Sequence, residues 1–232
     1  MEKLATLTDF IDLSSFEKIA NGKQRNIYLV RGKDVGLRDG NQRFVLKVPR
    51  RQERLQRLSS AKRLLRKIYP ASSLRVIRKE AEYWKAVSCR WNREWGPFPF
   101  PRFVGFVETS EGIGALWNAV CDHQGNLAPQ LKDFVDNNDV TGMLDALNQF
   151  VRLCMTQHIV ATDLQYRNVV FGTELDRTQL FLVDGFGDHR MVSFRRVSKS
   201  YNRSKLVHSC QKLARQTNLC FQPETGVFSL SD

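Results

Sequence analysis

Thr162-Asp163-Leu164-Gln165-Tyr166-Arg167-Asn168-Val169-Val170-Phe171 is the stretch on which the reading of this chain turns. A carboxylate and a carboxamide stand five residues apart, and an apolar, β-branched run follows the second. Another short apolar run, Leu180-Phe-Leu-Val183, ends in Asp184-Gly185-Phe186-Gly187. Two short strands about a turn would bring Asp163, Asn168 and Asp184 onto neighbouring loops. Hard oxygen donors of this kind suit Mg2+, which takes one or two carboxylates and leaves room for substrate phosphates. In phosphoryl transfer one Asp accepts or orients the acceptor hydroxyl, while an Asn and a second Asp hold the metal against the nucleotide. Alone, an Asp and an Asn at this spacing read equally well as an Asx-turn.

Further toward the N-terminus, Phe44-Val-Leu-Lys47-Val48 reads as a strand closed by Pro49. It matches the Val-Ala-Ile-Lys strand of protein kinases, whose Lys reaches the α- and β-phosphates. Arg78-Lys-Glu80-Ala-Glu82-Tyr-Trp84 falls on the next long helix, where kinases carry the Glu that pairs with that Lys. Lys, Glu, Asp, Asn and Asp therefore occur in kinase order, each on the expected kind of element. That order carries more weight than any member of it.

The sequence resembles the YrbL family, the PhoP regulatory network proteins, a small kinase-like group. Five stretches carry the resemblance: Arg78 to Trp84, Pro101-Arg-Phe-Val-Gly-Phe-Val-Glu-Thr109, Asp122-His-Gln-Gly-Asn126, Ile159 to Val170 and Val183-Asp184. It spans roughly Phe16 to Leu213, and the Pro-Arg-Phe stretch is its most family-specific part. The resemblance implies a protein-kinase-like α+β fold of two lobes with a nucleotide cleft. It further implies that Lys47 holds the nucleotide phosphates and that Glu80 orients Lys47, with Glu82 as the fallback. Asp163 would be the catalytic Asp, and Asn168 and Asp184 the metal ligands. Val120, Cys121 and Asp122 would border the adenine through backbone groups. ATP and Mg2+ are the expected cofactors.

Several features depart from the kinase pattern. In place of a glycine-rich loop stands Ala20-Asn21-Gly22-Lys23-Gln24-Arg25. Only Gly22 would let the backbone approach a phosphate closely, so Lys23 and Arg25 are expected to substitute by charge. Ala161-Thr162 precedes Asp163 where kinases have His-Arg, and no Ala-Pro-Glu follows Asp184. Control by activation-loop phosphorylation is not expected, and a protein-substrate platform looks absent. A small or sugar-like acceptor fits better.

The remaining elements frame two lobes, an N-terminal one over 1–121 and a reduced, mainly helical C-terminal one over 122–232. Strands are expected over Asn26–Arg31, Arg43–Val48, Phe103–Val107 and Gly114–Val120. Asp39-Gly40 marks a turn before the second of these. A helix starts near Ser72 and runs to about Arg93. Met143, Leu144, Leu147, Phe150, Val151, Cys154 and Met155 form an apolar helical stripe. A basic helix is expected from Val197 to Thr217. Leu55, Leu58, Leu65 and Ile68 place another amphipathic basic helix between Arg50 and Tyr69, ended by Pro70.

The chain has 232 residues, 42% hydrophobic and 26% charged, with a formal charge of +12. This composition excludes a disordered tail, a collagen-like fibre and a disulfide miniprotein. Five scattered cysteines without C-x-x-C read as reduced, apolar fillers, and the four histidines show no zinc spacing. No apolar run reaches the ~18 residues that span a bilayer, and the N-terminus lacks a secretory h-region. A cytosolic location is the expectation, peripheral at the inner membrane if the basic helix meets lipid. The charge is concentrated: Lys47 to Lys79 holds twelve Lys/Arg and one acid, and Arg190 to Arg215 holds eight and none. Such a field draws anionic partners. Without a helix-turn-helix, zinc-finger or stacking pattern, nucleic acid is the weakest of them. Two functions therefore compete, an ATP-dependent kinase and a pseudokinase that binds nucleotide as a regulatory module, with a basic protein that binds an anionic surface or nucleic acid ranked below both.

Overall fold

The computed structural model describes residues 10–21, 25–50, 72–188 and 194–231. Gly22, Lys23 and the basic helix expected beyond Arg50 lie outside the described residues. The chain divides into two compact units, one of residues 1–81 and 102–119, the other of 82–101 and 120–232.

The first unit is built on a five-stranded antiparallel sheet. Its strands are β1 (Lys18–Asn21), β2 (Arg25–Arg31), β3 (Arg43–Pro49), β4 (Phe103–Thr109) and β5 (Gly112–Asn118), in the order β1-β2-β3-β5-β4. Alternation along β2 and β3 decides which face is buried. Tyr28, Val30, Phe44, Leu46 and Val48 point into a core closed by Ile11, Leu13, Val35, Val107 and Leu116. Fully buried residues such as Leu46 and Leu116 each contribute about 2 kcal/mol over an exposed position. The register of β2 on β3 pairs Ile27 with Lys47 and Arg25 with Pro49. The link between them is broader than Asp39-Gly40 suggested. It opens with a 3-10 turn, Gly32–Val35, whose cap Gly36 takes the left-handed conformation at φ 71°. Asp39 Oδ1 then accepts from Asn41 and Gln42 N–H before β3 begins.

Helix α1 (Ser72–Arg90) gives its first half to this unit and its second half to the other. In the second unit an aromatic connector follows α1. Trp91, Trp95, Phe98 and Phe100 pack edge to face. Next come α2 (Leu131–Asp136), α3 (Leu144–Thr156) and the hairpin β6 (Val169–Glu174) and β7 (Arg177–Leu182). The chain continues through α4 (Phe194–Val197), α5 (Lys199–Thr217) and a hairpin of β8 (Leu219–Gln222) and β9 (Val227–Leu230). The apolar stripe of α3 is buried as its periodicity requires, through Leu147, Phe150, Val151 and Cys154. Burial pushes the Cys154 thiol upward and that of Cys210 to about 12, so both act as apolar fillers. The single basic helix expected over 197–217 breaks at Ser198, which turns extended (φ −104°, ψ 109°) and caps α5 through its hydroxyl. The terminal hairpin had no clear signal because Pro223 interrupts a very short apolar run. It is held from outside, by Asn148 of α3, whose amide exchanges two hydrogen bonds of 3.0 and 2.7 Å with the Phe228 backbone.

Candidate active site

In the first unit, strand alternation turns Lys47 to the face opposite Leu46 and Val48. Lys47 is only 4% exposed, with its ammonium 5.1 Å from the Trp117 ring centroid. Glu80, on α1, is completely buried. Arg25 grips it with two parallel hydrogen bonds, Nη1 to Oε2 at 2.7 Å and Nη2 to Oε1 at 2.9 Å. A buried carboxylate is costly unless paired, and this fork supplies both charge and geometry. Arg25 is the first residue of β2, paired in register with Pro49. Its guanidinium, expected to serve phosphates by charge, is thus committed to Glu80. A network near the same strands centres on Glu111, which accepts from Tyr28 Oη (2.6 Å) and Asn26 Nδ2 (2.7 Å), and Arg50 Nε donates to Asn26 Oδ1.

In the second unit the structure brings Asp163, Asn168 and Asp184 onto adjoining loops. Asn168 Nδ2 donates to the Asp163 backbone carbonyl at 2.9 Å and to its Oδ2 at 3.0 Å. Gln165 Nε2 donates to Asp163 Oδ1. Both carboxylate oxygens are therefore aimed, and each retains a further lone pair. The Asp184 loop docks directly on this turn. The Gly185 carbonyl accepts the N–H groups of Thr162 (2.7 Å) and Asp163 (3.0 Å), and Gly185 N–H donates to Asp184 Oδ1 at 2.6 Å. Gly185 is left-handed at φ 75°, and a Cβ there would lie 2.5 Å from that of Asp163. Only glycine permits this approach.

Two residues outside the expected set fasten the segment before Asp163. The Tyr83 hydroxyl accepts the Val160 N–H at 2.7 Å. Burial raises the Tyr83 hydroxyl to about 12, which keeps it neutral. The Tyr83 ring also packs on Gly187, whose own N–H donates to the Val160 carbonyl. Asn202, fully buried on α5, donates to the Ile159 carbonyl at 3.0 Å and accepts from Arg195 at 2.9 Å. Tyr83 lies within the quoted Arg78–Trp84 stretch, three residues past Glu80. Asn202 stands inside a helix, where Asn is disfavoured unless its side chain has work to do.

Backbone bonds occupy much of the expected hinge. Cys121 exchanges both of its backbone groups with Thr173, Asp122 does so within its own turn through Asn126 and Gly125, and the Val120 carbonyl accepts from Ala128. Among the described residues, this leaves the Val120 N–H as the hinge donor without a protein acceptor.

The donor set fits Mg2+. Asn168 spends its Nδ2 hydrogens on Asp163, so its Oδ1 remains a neutral hard acceptor, and Asp184 adds an anionic one. Among the described residues no three His, Cys, Asp or Glu side chains form an all-protein metal cage. Mg2+ does not need one, because waters and substrate phosphates complete its shell.

A family model described as PhoP regulatory network protein YrbL matches residues 11–218. No curated protein matches the chain. Among solved structures, that of the protein kinase Rad53 (residues 1–466, in complex with AMP-PNP) aligns with a TM-score of 0.51 at 15% identity. The alignment covers 94% of this chain and 48% of that one, so the chain spans about half the length of that neighbour. The fold is protein-kinase-like.

Proposed function

The chain belongs to the PhoP regulatory network protein YrbL family, and from that premise we propose that it is an ATP- and Mg2+-dependent phosphotransferase acting on a small or sugar-like hydroxyl acceptor. One observation carries the reading: Asp163 is oriented by Asn168 and Gln165 on a turn bonded to the loop that presents Asp184. In this reading Lys47 holds the nucleotide phosphates, while Asn168 and Asp184 hold the metal. Mg2+, when bound, neutralises phosphate charge. Asp163 takes the proton of the acceptor hydroxyl as its oxygen bonds to the terminal phosphorus. The bond from that phosphorus to the bridging oxygen breaks, and ADP leaves. The Rad53 structure contains AMP-PNP, and this supports a nucleotide as the ligand of the shared fold.

The pseudokinase reading draws on a different observation. Arg25 is spent on Glu80, and the Cys121 and Asp122 backbone groups are spent on their neighbours. Fewer groups are left for phosphate and adenine than in the sequence-based expectation. Two measurements separate the readings. A thermal shift by ATP with Mg2+, abolished in Asp184→Ala, establishes nucleotide binding. Phosphate release or transfer that disappears in Asp163→Ala establishes turnover. A shift without turnover leaves a pseudokinase, and no shift removes both readings.

A further inference from the structure

Helix α4 carries its apolar side chains on the outside. A surface turn ordinarily buries its apolar residues and shows its charges. Here Arg195 donates to the buried Asn202, and Arg196 lays its guanidinium over the Tyr83 ring, 5.8 Å from its centroid. The apolar residues of the same turn face outward, Phe194 at 63% and Val197 at 86% exposure. Tyr201, in the first turn of α5, is 38% exposed with Lys205 over its ring. Lys199, Arg203 and Lys205 are exposed around them, and 194–215 contains no acidic residue.

We infer that this face of α4 and the start of α5 is a docking surface for an anionic lipid bilayer. The charge is complementary: cations surround an apolar tip, so phosphate headgroups meet Lys199, Arg203 and Lys205 while Phe194 and Val197 enter the acyl boundary. Three side chains are too few for a protein interface, which needs about 800 Å2 from each partner. They suffice for shallow insertion beneath a headgroup layer. Among the described residues no helix is long and apolar enough to cross a membrane, so attachment by this face would be interfacial. The position has a further consequence. Arg195 and Arg196 anchor the turn on Asn202 and Tyr83, the residues that hold Ile159 and Val160 just ahead of Asp163.

The test is sedimentation of the full chain with vesicles of phosphatidylcholine, alone or mixed with phosphatidylglycerol, across a salt series. The chain should bind only the mixed vesicles, and less as salt rises. Phe194→Ser with Val197→Ser should weaken binding about tenfold or more without moving the melting temperature. Val197→Trp should strengthen it, and decides the matter if the double variant fails to fold. Absent binding, equal binding to phosphatidylcholine alone, capture only by an acidic protein, or a Val197→Trp variant that binds no better than the parent each overturns the inference. Nucleotide-induced thermal shifts measured on the same samples keep this outcome separate from that of the phosphotransferase reading.

Discussion

Replacing Gly185 by Ala probes the join between the two loops of the candidate site. The new methyl carbon would stand 2.5 Å from Asp163 Cβ, 2.9 Å from its carbonyl oxygen and 3.0 Å from its Cα. Two of these three neighbours are backbone atoms, so a rotamer change cannot relieve the contact. The left-handed φ of 75° adds about 1–2 kcal/mol for a residue with a Cβ. Overpacking against a rigid neighbour adds about 1–3 kcal/mol. Together these come to roughly 2–5 kcal/mol, and at about 2–4 °C per kcal/mol the melting temperature should fall by on the order of 10 °C. The loops must part to relieve the clash, which loosens the two bonds from Thr162 and Asp163 N–H to the Gly185 carbonyl. The stabilisation gained from ATP with Mg2+, about 2.7 kcal/mol at a hundredfold excess over Kd, should shrink accordingly. The assay is a melt of parent and variant with and without ATP and Mg2+. A variant that melts within a degree or two of the parent and keeps the full nucleotide shift would refute the close approach of these loops.

Arg25→Ala should cost about 3–5 kcal/mol in chemical denaturation, since it removes both hydrogen bonds of the guanidinium fork from the fully buried Glu80 carboxylate, and adding Glu80→Gln should recover part of that loss. Tyr83→Phe leaves the Val160 N–H without its acceptor; about 1–3 kcal/mol of stability should go, and hydrogen exchange at Val160 should quicken. His158 is held below its ordinary value of 6.5 by burial first, then by Lys199, Arg90 and Arg203. The unfolded chain therefore binds more protons than the native one as pH drops through 6.5, and stability is lost there. His158→Asn keeps the left-handed φ of 52° and should flatten the fall in melting temperature between neutral and acidic pH; an unchanged profile would remove His158 as its cause.

Much of the fold could be read from local pattern. Alternation in β2 and β3, and the apolar stripe of α3, predict elements and buried faces because each is set by neighbours within a few residues. β1 and the terminal hairpin escaped such a reading. Each strand is four residues long, and the hairpin relies on Asn148, roughly eighty residues away, to satisfy its backbone. The break at Ser198 was equally hidden. Helical periodicity runs across it, and the Ser198 hydroxyl cap together with the anchoring of Arg195 on Asn202 shows why the chain turns there.

The candidate site divides in the same way. The order of Lys47, Glu80, Asp163, Asn168 and Asp184 along the chain, and the bond pattern within the Asp163–Asn168 turn, are local matters of residue type and spacing, which the amino-acid sequence determines by itself. That Arg25 meets Glu80, and that Asn202 and Tyr83 hold Ile159 and Val160, depends on pairs 55, 43 and 77 residues apart, and α4 is set against Tyr83 through Arg196 from farther still along the chain. Such pairs leave no periodic trace. They form because burial makes an unpaired carboxylate or amide costly, and the packed chain decides which side chain is near enough to meet that cost.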